Sequence, residues 1–169
     1  MRITKSLIHP AALFVAVILA AAAHTAGSGS FPPKQGLASH VFDGDTLLVE
    51  SGGARYKVRI LGINTPEVDG PYRKAEPYGK EASIRTKALV EGKYISLEYD
   101  SGRKKDKYGR LLAYVRLPDG VDLGRLLISE GLAEAFHTTR YSRKTLYHRI
   151  EQEARQARLG IWSLPKKRK

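Results

Sequence analysis

Five short strands closed into a small barrel and accompanied by three helices, an α+β architecture, are what the sequence predicts. Three observations carry that expectation: β-favouring runs separated by turn signals, two-residue apolar alternation within them, and helical spacing in three other stretches. At 169 residues and 42% apolar content, the chain has material for about one self-sufficient core.

The elements follow in order. Runs at 40–42, 46–50 and 56–61 are separated by Asp43-Gly44 and by Ser51-Gly52-Gly53, both turn signals. In the third run Tyr56, Val58 and Ile60 alternate with Lys57, Arg59 and Leu61, so Arg59 points away from the buried face. From 78 to 90 the period changes: Ala82, Thr86 and Leu89 recur at helical spacing, and Gly92 stops the helix. Ile95, Leu97 and Tyr99 alternate again, as do Leu111, Ala113, Val115 and Leu117, on either side of a charged loop at 101–110. Leu123, Leu126 and Leu127 mark a short helix before Gly131. Leu146, Ile150, Ala154 and Ala157 mark a longer one before Gly160. Five strands interrupted by one helix and followed by two suit the oligonucleotide-binding (OB) barrel.

The first 23 residues differ from the rest. Arg2 and Lys5 give a positive start, Ala11 to Ala23 is an unbroken apolar run of thirteen residues, and Ala21-Ala22-Ala23 offers small residues to a peptidase. Residues 1–23 therefore read as a signal peptide, because spanning a bilayer takes about 20 apolar residues. Export, to the medium or a periplasm, is expected; without cleavage the same segment would hold the protein at the membrane. A flexible leader at 24–38, a barrel domain at 39–163 and a basic tail at 164–169 complete the organisation. With no cysteine there is no disulfide framework, no thiolate zinc site and no cysteine nucleophile. Nothing in the sequence signals an oligomer, so a monomer is expected.

The net charge is +12, or +10 once residues 1–23 are removed, which favours a polyanionic partner. Three segments, 103–110, 140–149 and 166–169, each carry +4. The first also holds Tyr108, Gly109 and Arg110, an aromatic and a guanidinium beside a turn, which suits phosphate and sugar contact.

Asp43-Gly44-Asp45-Thr46 places two carboxylates at a turn, and Asn64-Thr65-Pro66-Glu67 follows Arg59 closely. Pro66 keeps Thr65 out of the helical region, so this stretch is extended. Carboxylate, amide and carbonyl oxygens without nearby sulfur suit Ca2+ or Mg2+ better than zinc. None of the five histidines forms a spaced pair near these acids, and His40 reads as a surface or packing residue. Taken alone, Arg59 and Glu67 would make an ordinary ion pair.

Asp43-Gly44-Asp45-Thr46, Arg59, Thr65-Pro66-Glu67, Tyr78-Gly79 with Glu81-Ala82-Ser83, Asp106-Lys107-Tyr108-Gly109-Arg110, Gly131-Leu132-Ala133 and Ile161-Trp162-Ser163 occur in one order between Ser39 and Ser163. As a set they resemble the staphylococcal nuclease, or thermonuclease, family. The resemblance implies a five-stranded OB barrel with three helices and Ca2+-dependent endonucleolytic hydrolysis of DNA and RNA with little sequence specificity, leaving 3′-phosphate ends. It also implies roles. Asp45 matches a direct metal ligand with Asp43 in support, and Thr65 a residue that gives its carbonyl to the metal. Arg59 and Arg110 match the arginines on the scissile phosphate, and Glu67 the carboxylate assigned as general base. Lys107 and Tyr108 match contacts to a terminal phosphate. These roles make physical sense. Guanidinium groups stabilise phosphoryl charge without titrating near neutral pH. A carboxylate with a pKa near 4.3 is a weak base, so Glu67 acts as much by positioning a water as by deprotonating it.

Two departures stand out. Asn64 occupies a position where the family places an aspartate ligand, so an oxygen is kept and a charge is lost. His137 and Thr139 stand where tyrosines line the base pocket; His137 can still stack on a base and Thr139 cannot. Tyr141 reads as a surface tyrosine packed on the last helix. The rival functions are a non-catalytic OB-fold protein that binds nucleic acid and a surface-adhesive basic protein. Because ligand charge helps set Ca2+ affinity, Asn64→Asp is expected to tighten Ca2+ binding in a titration; equal or weaker affinity would contradict the assignment.

Overall fold

In the computed structural model, which describes residues 31–71 and 74–165, the chain enters at β1 (Gln35–Val41) and turns through 42–45 into β2 (Thr46–Ser51). Gly52 and Gly53, with φ of 57° and 76°, then close a two-residue hairpin to β3 (Ala54–Ile60). Both turn positions need the left-handed region, which glycine enters without a side-chain clash. After β4 (Ile63–Asn64) come α1 (Gly79–Val90), β5 (Tyr94–Glu98), β6 (Leu111–Arg116), α2 (Leu123–Ser129), β7 (Glu134–Ala135) and α3 (Lys144–Gln156). A 3-10 turn (Gly160–Ser163) follows. The expected signal peptide and residues 166–169 of the tail lie outside the described residues. Among the described residues, no helix is long and apolar enough to cross a membrane.

The barrel is closed in the order β1-β2-β3-β6-β5, with β3 and β6 parallel and the other pairs antiparallel. Five strands and three helices match the expected α+β barrel. Leu47, Val49, Val58, Ile60, Ile95, Leu97, Leu111, Ala113 and Val115 are all buried, as the alternation predicts. Each large one contributes about 1.5–3 kcal/mol by leaving water. The register Thr46↔Arg59 and Arg59↔Leu112 fixes Arg59 on the outer wall of the barrel between β2 and β6.

Three expectations shift. β1 begins at Gln35 rather than His40, so the last residues of the expected leader, 35–38, are paired with β2 and β5. Gly36 passes so close to β2 that an added Cβ would lie 2.5 Å from Glu50 O, and a glycine there masks the strand in the sequence. Tyr141 is buried, not a surface residue: it is 8% exposed, packs its ring 5.9 Å from that of Tyr147, and closes on the Cβ-less Gly62. On α3 the buried face is Tyr147, Ile150, Glu151 and Ala154, whereas Leu146 is half-buried and Ala157, already past the helix end, is exposed.

The two C-terminal helices are joined through one buried carboxylate. Asp122 caps α2 by accepting from Arg125 N at 3.1 Å, and its oxygens take the Tyr147 hydroxyl at 2.9 Å and Arg143 Nη1 at 2.7 Å. Burial, and then the Asp122 charge, push the Tyr147 phenol well above its ordinary pKa, so it stays a donor. Hydrogen bonds to a charged group contribute about 1.5–3 kcal/mol. Tyr147→Phe is expected to lose about that much stability in urea unfolding; a loss below about 0.5 kcal/mol would contradict the network.

Candidate active site

One small cleft of about 170 Å3 is lined by Asp43, Asp45, Thr46, Arg59, Asn64, Thr65, Glu67 and Arg110. Residues from four parts of the chain therefore meet there: the β1–β2 turn, the end of β3, the 64–67 stretch and the start of β6. Each arrives for a local reason. Gly44 lets the turn press against Thr65, where an added Cβ would lie 2.7 Å from the Thr65 methyl. Thr86, buried on α1, donates to Gly44 O at 2.8 Å and pins the turn from behind. The 64–67 stretch is held at one end by pairing of β4 with β7, Asn64↔Glu134. At its other end Glu67 N donates to Glu76 Oε2 at 3.0 Å, and Glu76 N to Glu67 O at 2.9 Å. Gly79 at the start of α1 admits that carbonyl, which an added Cβ would meet at 2.1 Å.

Asp45 is the centre of the arrangement. Only 5% exposed, it accepts from Thr65 N at 2.9 Å and Thr65 Oγ1 at 3.1 Å through Oδ2, and from Thr46 Oγ1 at 3.1 Å through Oδ1. Asp43 Oδ1 in turn accepts from Asp45 N at 3.0 Å. Arg59 Nη1 lies 2.6 Å from Asp45 Oδ2, and Arg59 Nη2 donates to Asn64 Oδ1 at 3.0 Å. Arg59 thus pairs with Asp45. Its side chain is 14% exposed, so the outward-facing arginine is roofed by the site. Nη1 is buried and, despite its closeness to Asp45, has no acceptor in hydrogen-bond geometry. Burial pushes the Asp45 carboxyl up to about 6; Arg59 pulls it back and the nearby Asp43 charge raises it further.

This geometry bears on a cation. The side chains lining the cleft offer carboxylate, amide and hydroxyl oxygens beside two guanidinium groups, with no sulfur or imidazole. The donor chemistry fits a hard divalent ion on Asp45, Asp43, Asn64 and the Thr65 carbonyl. Among the described residues no group of three or more His, Cys, Asp or Glu stands at metal-binding spacing, so carboxylate alone does not supply the shell.

Arg110 is set by a loop whose organiser has no role in the sequence reading. Asp106 Oδ1 accepts from Tyr108 N at 2.9 Å and Arg110 N at 3.0 Å, and Asp106 Oδ2 takes Arg110 Nε at 2.6 Å. The lone acid among five basic residues is the signal that reveals it. Lys107 and Tyr108 stand on this loop outside the cleft. Tyr108 is 72% exposed, with Lys107 Nζ 5.0 Å and the Arg110 guanidinium 5.4 Å from its ring centre. His137 does not line the cleft either; its Nε2 is 3.3 Å from the buried Glu151 Oε2 and its ring 4.3 Å from that of His148.

The family described as "Staphylococcal nuclease homologue" matches residues 57–164, more than half of the chain. The chain belongs to the staphylococcal nuclease family. It is 40% identical over 127 residues to the Thermonuclease of Staphylococcus intermedius, covering 75% of this chain and 74% of that protein. Endonuclease YncB of Bacillus subtilis is 42% identical over 123 residues, and the SPbeta prophage-derived endonuclease YokF of the same organism 43% over 123. Each covers 72% of this chain, which spans only 58% of YncB and 41% of YokF.

Burial opposes the charge on Asp106, but the hydrogen bonds from the Arg110 side chain, Arg110 N and Tyr108 N outweigh it and hold the carboxyl below its ordinary value. A depressed carboxyl stabilises the fold fully above its unfolded pKa of about 3.9 and loses that contribution as pH falls through the lower folded value. An NMR titration is expected to place the Asp106 midpoint below about 3.9. A midpoint at or above that value would contradict the loop geometry.

Proposed function

We propose that this protein is a metal-dependent endonuclease hydrolysing phosphodiester bonds of DNA and RNA with little sequence specificity, with Ca2+ as the cation. The observation that carries the reading is the convergence of Asp45, Arg59, Glu67 and Arg110 on one cleft. The names of the relatives, an endonuclease and a thermonuclease among them, support it. Asp45 and Asp43, with the Asn64 amide oxygen and the Thr65 carbonyl, would hold the cation. When bound, such an ion supplies positive charge to the phosphoryl oxygens and orients a water.

The rest is the work of the chain's own groups. Arg59, held by Asp45 and Asn64 at the cleft wall, offers a guanidinium that does not titrate near neutral pH to a phosphoryl oxygen. Arg110, aimed by Asp106, offers a second guanidinium from the β6 side, so charge developing on the phosphate meets two fixed cations. Glu67, its backbone clamped by Glu76 and Gly79, presents a carboxylate to position the attacking water and accept its proton. Exposed bases are needed for a strand to enter so small a cleft, which favours single or frayed strands.

We infer export as well, supported by the charge and apolar run of residues 1–23, and action as a monomer. The test is cleavage of DNA and RNA by the purified protein in Ca2+, in Mg2+ and in EDTA, alongside Glu67→Gln. Cleavage is expected only with cation, and Glu67→Gln should lower the rate about 10²–10⁴-fold. Cleavage that persists in EDTA or is untouched by the substitution contradicts the mechanism. Binding without cleavage by the unsubstituted protein would instead return the non-catalytic OB-fold reading.

A further inference from the structure

Beside the cleft, on the outer wall of the barrel, stands an exposed cluster that the proposed chemistry does not use. Phe42, immediately before Asp43, is 40% exposed. The His40 ring meets it edge to face at 4.7 Å, and Lys57 Nζ sits 4.2 Å from its ring centre. The β register explains why these three meet. His40 and Lys57 both lie opposite Leu48, one on each side of β2, with all three turned outward, while Phe42 N is tied to Thr46 O at 2.9 Å.

Lys57 and Arg59 are two residues apart on β3 and face the same way, so they lie about 6.6–6.8 Å apart along the strand. A single nucleotide bridges that span. An exposed aromatic on a barrel wall is costly to leave in water, and an aromatic beside a lysine at the rim of an anion-binding cleft matches what single strands use: a ring for the base and a cation for the phosphate.

We propose that His40, Phe42 and Lys57 form a nucleotide subsite adjoining the cleft, in which the base next to the scissile phosphate stacks on Phe42 and its own phosphate pairs with Lys57. The inference rests on the nuclease reading. His40 borders the ring, and its Nδ1 lies 4.0 Å from Glu91 Oε1, so it supports the platform from the α1 side rather than meeting phosphate. The subsite takes an unpaired base, and a paired duplex cannot present one.

The experiment is fluorescence anisotropy of a short labelled oligothymidylate and of a blunt DNA duplex with the full protein in EDTA, which stops cleavage. Phe42→Ala is expected to weaken single-strand binding about fivefold or more, equivalent to about 1 kcal/mol at 1.4 kcal/mol per decade, with no change for the duplex. Phe42→Trp should restore the affinity. Lys57→Gln should lower the salt slope of single-strand binding by about 0.7, a change that Phe42→Ala does not produce. Tyr94→Ala serves as the control: Tyr94 is 70% exposed and pairs with Leu37, itself opposite Glu50 at the other end of β2 from Thr46. Equal weakening by Phe42→Ala and Tyr94→Ala, or none by Phe42→Ala in a protein that binds and cleaves nucleic acid, overturns the subsite. A protein that neither binds these probes in EDTA nor cleaves nucleic acid once Ca2+ is restored overturns the nuclease reading itself.

Discussion

The carboxylate of Asp45 is where barrel and site become one object. Its two oxygens take donors from the adjoining Thr46 at the start of β2 and from Thr65 across the cleft, while Arg59 approaches from β3. Remove it, and Thr65 loses the acceptor of both its N–H and its hydroxyl, and Arg59 loses its charged partner. The cost is a charge held where water does not reach. Even with Arg59 beside it the carboxyl is pushed up to about 6, chiefly because burial disfavours its charged form. Arg59, paired with Asp45 and Asn64 and covered by the site, keeps a fixed guanidinium beside it.

The remaining residues of the site are placed by small, specific devices. Gly44 and Gly79 are positions where one extra carbon would collide with Thr65 or with the Glu67 carbonyl. Thr86 spends a buried hydroxyl on the β1–β2 turn from the helix behind it. Asp106 converts a loop that would otherwise repel itself into one that holds Arg110 in a fixed direction. None of these touches the place where a phosphate would sit, and all of them act by positioning.

Much of this was legible in the sequence because periodicity and turn chemistry are local. The alternation of Val58 and Ile60 already put Arg59 on the outer wall, and Gly52-Gly53 marked the hairpin that sets its register. The start of β1 is hidden because Gly36, which its close approach to Val49 and Glu50 of β2 forces to be small, reads as linker. Tyr141 is buried by packing on Tyr147 and Gly62, a contact that spacing does not show, while Tyr147 and Glu151 carry polar groups whose partners, Asp122 and Ala135 N, are distant in sequence, and a helical repeat counts only apolar positions. The partner of Arg59 was equally nonlocal: Asp45 lies fourteen residues earlier and reaches it only through the β2–β3 register. His137 stands outside the cleft, beside Glu151 and His148, neighbours that its place in the sequence does not show.

The central claim is that the Asp45 charge, and not merely its shape, makes the cleft work. Asp45→Asn keeps the size of the side chain and the bulk of the barrel core. Single-turnover cleavage of a labelled single strand in saturating Ca2+, with circular dichroism to verify the fold, measures that charge directly. The account predicts a folded variant whose cleavage is reduced at least about a hundredfold, in the range lost when one preorganised electrostatic contact is removed from a site of this kind. A folded variant that cleaves at the unsubstituted rate would contradict it.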